Sequence, residues 1–147
     1  MTVSASYPRG GSRCFYDTNV VAAYILGEEE RVEIAERVLR GCTARGISVI
    51  TLHELAHIAL KRGLEARLGE AITLLERAFK IHELTRDASL KAARIRLEYG
   101  IPEVDSLILA TAVEAEYNTF YTFDADFSRL HGEVIGQTRV VYLEQHT

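Results

Sequence analysis

DSLILATAVEAEYNTFYTFD, residues 105–124, sets an acid at the opening of a helix-like segment and another at the close of a strand-like one. Pro102 suits the first turn of a helix, so a helix is predicted over about 103–117, with Asp105 in its opening turn. The run Thr119-Phe120-Tyr121-Thr122-Phe123 is aromatic and β-branched, which predicts a strand over 119–123. Asp124 follows it directly.

The same alternation extends in both directions. Residues 13–17 read as a strand that closes on Asp17, and Thr18 to Leu26 as a short helix stopped by Gly27. Residues 28–44 carry Val32, Ala35, Val38, Leu39 and Cys42 at helical spacing. A strand is predicted at 47–50 and a helix at about 52–61, broken by Gly63, with Glu54 in its first turn. Leu64, Leu68, Ala71, Ile72, Leu75 and Phe79 mark a second long amphipathic helix. A short strand near 80–84, a helix at 86–99 capped by Gly100, and a final strand at 139–143 complete the pattern. Strands alternating with helices imply an α/β fold around a mostly parallel sheet. No internal repeat or linker interrupts it, so residues 13–147 read as one domain. Residues 1–12, with Pro8, Gly10 and Gly11, read as a flexible leader.

The chain of 147 residues is 48% hydrophobic and 26% charged, which argues against disorder. Its net charge of −4 does not advertise a nucleic-acid binder, although a local basic patch can outweigh a mildly acidic total. Arg86, Lys91, Arg94 and Arg96 form such a cluster: either a solvated helix face or a landing strip for nucleic-acid phosphates. Cys14 and Cys42 are too few for a disulfide framework and read as two reduced thiols, which fits a cytoplasmic protein. No apolar run approaches the roughly 18 residues of a membrane span, and the first residues lack a secretory h-region.

Taken singly, each acid has an ordinary explanation. Asp17 suits a helix N-cap, Glu54 a solvated helix face, Asp105 the positive end of a helix dipole, and Asp124 and Asp126 a turn. Together they gain meaning, because all four of Asp17, Glu54, Asp105 and Asp124 fall on one side of the inferred sheet. Ligands of open α/β sheets bind at the carboxyl ends of the strands. Two carboxylates about 4 Å apart repel by roughly 4 kcal/mol at an effective dielectric of 20. Such a group stays ionised only with a counter-charge, and hard oxygen donors suit Mg²⁺ or Mn²⁺. A site of that type commonly serves phosphate chemistry.

The elements YDTNV (16–20), the Glu-Leu of HEL (53–55), DSLILATA (105–112) and TFDADF (122–127) resemble the motifs of the PIN domain. The resemblance spans about residues 13–143 and is strongest to VapC-type toxin ribonucleases. It implies a single α/β domain with a mostly parallel central sheet and helices on both faces. It further implies a metal-dependent endoribonuclease that cuts RNA with a metal-activated water. Asp17, Glu54, Asp105 and Asp124 would be the catalytic, metal-binding acids, with Asp126 a further acid and Thr18, Asn19 and Thr122 in support. Phe123 departs from the Asn or Arg often found between Thr122 and the last acid. The expected partners are an RNA substrate, a VapB-like antitoxin and a second copy of the chain. Apolar residues off the core stripes, such as Ile34 and Leu74, would be available to join subunits.

Other readings compete. A stand-alone RNA-processing nuclease, or an inactive PIN domain that binds RNA or protein, would share these motifs. Residues 53–57, His-Glu-Leu-Ala-His, match the zinc-protease pattern of two His on one helix face with a Glu between them. The extended form of that pattern wants Gly at 60 and His at 63, where this chain has Leu60 and Gly63. Zinc would also leave Asp17, Asp105 and Asp124 unexplained. A phosphatase with a nucleophilic Asp would want a second Asp at 19, which is Asn19.

Overall fold

The computed structural model describes residues 12–144. The chain enters through β1 (Arg13–Tyr16), α1 (Thr18–Leu26) and α2 (Val32–Arg40), then β2 (Ala44–Ser48) and α3 (Val49–Lys61). A 3₁₀ turn at Glu65–Arg67 leads to α4 (Leu68–Ala78), followed by β3 (Lys80–His82). Two packed helices come next, α5 (Arg86–Tyr99) and α6 (Glu103–Glu114). β4 (Thr119–Thr122), a 3₁₀ segment (Ala125–Leu130), β5 (Val134–Ile135) and β6 (Thr138–Tyr142) complete the order. The leader expected at 1–12 lies outside the described residues except for Ser12. That residue is buried, and its carbonyl accepts from the Ala44 amide at 3.0 Å and the Thr43 hydroxyl at 2.8 Å.

The strands lie in the order β3-β2-β1-β4-β6-β5, all parallel except the β5–β6 pair. Successive side chains of a strand point to opposite faces, and the central strands use this to build two cores. Cys14, Tyr16, Ile47 and Tyr121 pack with α1, α2, α3 and α4 on one face. Phe15, Phe120 and Val140 pack with α5 and α6 on the other. Phe15, Tyr16, Phe120 and Tyr121 are essentially fully buried, each contributing about 1.5–3 kcal/mol relative to exposure. The two strands that lead into Asp17 and Asp124 are thus anchored by buried aromatic side chains on both faces of the sheet.

Several predicted boundaries move, each for a reason outside the local sequence. The strand predicted at 47–50 starts and ends earlier, at Ala44–Ser48, because Ala44, Arg45 and Gly46 pair with Arg13, Cys14 and Phe15. Within the strand position 46 is a glycine because the Tyr117 ring occupies the space where a Cβ would sit. Ser48 then stops it, its hydroxyl accepting from the Ile50 amide at 2.9 Å as an N-cap. Val49 and Ile50 are thus helical. The helix predicted at 28–44 shortens to Val32–Arg40, and that at 64–79 opens with the 3₁₀ turn. The helix at 103–117 ends at Glu114, where the chain turns through Glu116 at φ 60°. The short hairpin strand β5 carries no alternation long enough to read.

The expectation of two free thiols is corrected. Cys14 and Cys42 form a disulfide, their Cα atoms 6.1 Å apart. Cys14 points into the core beneath α2, and Cys42 follows the last turn of that helix into the same core. The α1–α2 hairpin brings them together, a juxtaposition that spacing along the chain does not reveal.

Candidate metal centre at the carboxyl ends of β1 and β4

β1 and β4 are neighbours, and the chain leaves them toward opposite sides of the sheet: β2 lies outside β1, and β6 outside β4. A crevice at such a switch point is where open α/β sheets take ligands. Asp17 ends β1 and caps α1, its Oδ1 accepting from the Thr18 amide at 2.9 Å. Asp124 ends the β4 segment and caps the 3₁₀ turn, its Oδ1 accepting from the Asp126 amide at 2.9 Å. Asp105 arrives from the first turn of α6. One carboxylate oxygen from each of Asp17, Asp105 and Asp124 lies within 4.8 Å of the others.

Thr122 ties two of them together. Its hydroxyl donates to Asp17 Oδ2 at 2.8 Å and accepts from the Asp124 amide at 2.9 Å. Asn19 makes a second tie, accepting from the Phe123 amide at 2.9 Å while its Nδ2 lies 3.4 Å from Asp17 Oδ2. Phe123, where the motif departs, faces inward. The ring is buried in the core, with the Arg31 guanidinium 4.7 Å above it, itself paired to Glu144.

The electrostatics are those of crowded carboxylates. Burial, above all, pushes Asp17 up to about 6 against its hydrogen bonds from Thr122 and Thr18, and the charges of Asp124 and Glu54 add to the rise. Burial likewise pushes Asp105 up to about 7, reinforced by Asp17, Asp124 and Asp126 and by a hydrogen bond with Asp124. Carboxylates crowded in this way are a donor set a divalent cation would satisfy. Three carboxylate oxygens within 4.8 Å of one another form a group that would hold a divalent metal ion.

The other predicted site residues are placed differently. Glu54 stands beside the trio rather than within it, its Oε1 accepting from the Thr18 hydroxyl at 2.5 Å. Asp126 is exposed and lies outside the trio, although its charge is felt at Asp105. His53 and His57 are exposed and contribute nothing to the acidic group. Among the basic residues of α5, Lys91 pairs with Glu114 at 3.5 Å and Arg96 with Glu103 at 3.8 Å, while Arg86 and Arg94 are exposed. One buried polar residue beside the site escaped the sequence reading: Thr51, whose hydroxyl lies 2.9 Å from that of Thr18. Its only sequence signal is its place one helical turn before Glu54.

A PIN domain family model matches residues 14–133, which take in all four acids, and the chain belongs to that family. Solved structures of toxin–antitoxin proteins share its fold. A toxin–antitoxin complex from Klebsiella pneumoniae superposes with a TM-score of 0.67 at 26% identity, covering 87% of this chain and 95% of that one. DNA-bound VapBC from Salmonella typhimurium gives 0.68 at 22% identity, with 88% and 96% covered. The sarcin-ricin-loop-cleaving toxin VapC20 of Mycobacterium tuberculosis gives 0.65 at 21%, with 79% and 93% covered. No curated protein sequence matches the chain.

Proposed function

We propose that this chain is a metal-dependent endoribonuclease and the toxin of a VapBC-type toxin–antitoxin pair. The observation that carries the reading is the convergence of Asp17, Asp105 and Asp124 at the switch point of the sheet. Those three side chains would hold Mg²⁺ or Mn²⁺, with Glu54 alongside. When bound, the ion would neutralise charge building on a phosphodiester and lower the pKa of the attacking water. The chain's own share is to fix the donors. Thr122 and Asn19 hold Asp17 and the Asp124 backbone, and the buried β1 and β4 keep both at a set separation. Such a hydrolysis needs no 2′-hydroxyl nucleophile, so the products carry a 5′-phosphate and a 3′-hydroxyl.

The partners in this reading are RNA, an antitoxin and a second copy of the chain. An open, largely apolar groove of about 830 Å³ runs between α3 and α4, lined by Leu52, Leu55, Ala59, Leu68, Ile72 and Leu74. It would seat an amphipathic segment of the antitoxin. Of the two residues expected to join subunits, Ile34 packs against the core, while Leu74 is 56% exposed on the groove. A second apolar face, with Leu90 64% and Leu97 88% exposed on α5, supports a homodimer. No helix of the described residues is long and apolar enough to cross a membrane. A cytoplasmic site of action goes with the toxin reading. Burial of Cys14 and Cys42 would slow attack on their disulfide by cytosolic thiols.

The test is cleavage of RNA by purified protein with Mg²⁺ or Mn²⁺ and with a chelator, the product ends being mapped. Metal-dependent cuts leaving 5′-phosphates, lost in Asp17→Asn and Asp105→Asn, are expected. Cyclic 2′,3′-phosphate ends, or cleavage that survives both substitutions in a folded protein, would overturn the reading.

A further inference from the structure

We propose that Thr51 is a positioning residue that orients Glu54 through the hydroxyl of Thr18; this rests on the nuclease reading above. Thr51 sits on α3 three residues before Glu54, and its side chain is completely buried. Its hydroxyl lies 2.9 Å from Thr18 Oγ1, and Thr18 Oγ1 donates to Glu54 Oε1. A hydroxyl carries a single hydrogen. Thr18 commits its own to Glu54, so toward Thr51 it can only accept. The direction of the relay follows: Thr51 donates to Thr18, and Thr18 donates to Glu54.

This arrangement couples two acids through one residue. Thr18 gives its backbone amide to Asp17 and its hydroxyl to Glu54. Without Thr51, the Thr18 hydroxyl would keep its bond to Glu54 but lose the donor that fixes its own place, so the pair could shift together. Glu54 would then lose its fixed bearing on the three aspartates. Groups that orient a ligand in this way typically alter metal affinity or activity by about 10–100-fold when removed. Thr51 therefore acts on the metal site without touching it.

The experiment follows the melting temperature during Mn²⁺ titration, on full-length wild type, Thr51→Val and Thr51→Ser, and on the same changes in a Glu54→Gln background. Val keeps the shape of Thr and removes the donor; Thr51→Ala replaces it if Val does not fold, which the metal-free melt reports. The Mn²⁺ midpoint should rise by about tenfold or more in Thr51→Val and return to within about threefold of wild type in Thr51→Ser. In the Glu54→Gln background Thr51→Val should add nothing, since the relay then has no acid to orient. An unchanged midpoint in Thr51→Val, or an effect that persists in full without Glu54, overturns the relay. RNA cleavage, measured in parallel, separates the two ideas. A wild type that binds Mn²⁺ through the relay yet cuts no RNA would sink the nuclease reading alone. A wild type that cuts RNA, with Thr51→Val indifferent, would sink the relay alone.

Discussion

Asp17→Asn should stabilise the metal-free protein at neutral and alkaline pH while abolishing its response to metal. Asp17 is buried, and its carboxyl is pushed from 3.8 to about 6. The folded state thus holds a proton that the unfolded state releases between those values. Stability is therefore fully present below pH 3.8 and declines as pH rises through about 6. The shift corresponds to about 3 kcal/mol at pH 8, at about 1.4 kcal/mol per unit. Asn removes the charge, but it cannot accept from Thr18, Thr122 and Asn19 together as the carboxylate does. Losing one of those hydrogen bonds costs about 1 kcal/mol. The net expectation is a gain of about 2 kcal/mol at pH 8, or roughly 4–8 °C in melting temperature for a domain of this size. Below pH 4 the sign should reverse, because the charge is gone in both proteins and only the lost hydrogen bond remains. The assay is thermal unfolding in chelator from pH 3.5 to 8, repeated with Mg²⁺. The wild type should lose stability over that range, with Asp105, raised to about 7, extending the fall. Mg²⁺ should raise the melting temperature of the wild type by linkage and leave that of Asp17→Asn nearly unmoved. A variant less stable than wild type at pH 8 in chelator would refute the charge-crowding argument.

Further expectations concern chemistry, covalent structure and assembly. Glu54→Gln should lose metal-dependent RNA cleavage, whereas His53→Ala and His57→Ala should keep most of it; stoichiometric zinc that is lost on either His change would revive the protease reading. Reduction of the Cys14–Cys42 bond, which spans a sequence separation of 28, should cost about 3–4 kcal/mol in denaturant unfolding by the loop-entropy model. Equal midpoints with and without reductant would show that the link contributes nothing. Light scattering at micromolar protein should report twice the 16.5 kDa chain mass, falling to one chain mass in Leu90→Glu/Leu97→Glu; a wild-type monomer at all concentrations would favour a stand-alone RNA-processing enzyme.

The sequence by itself determined the alternation of strands and helices and the acids at their junctions. These are local properties. Asp17 and Asp124 are legible because each both ends a strand segment and caps the turn that follows, two roles that short-range sequence encodes. The helix at 86–99 is legible to the residue, its Gly100 stop lying next to it; the structure adds the Thr85 cap at its start. What only the tertiary structure decided depends on partners far along the chain. Residues 44–46 are a strand because β1 is there to pair with. Cys14 meets Cys42 because a helical hairpin folds back over β1. Glu54 meets the hydroxyl of Thr18, which also faces that of Thr51, because α1 and α3 pack side by side at the end of the sheet. Sequence spacing shows which residues share an element, but the separation of two side chains from different elements is set by strand register and by the hydrogen bonds closed between them.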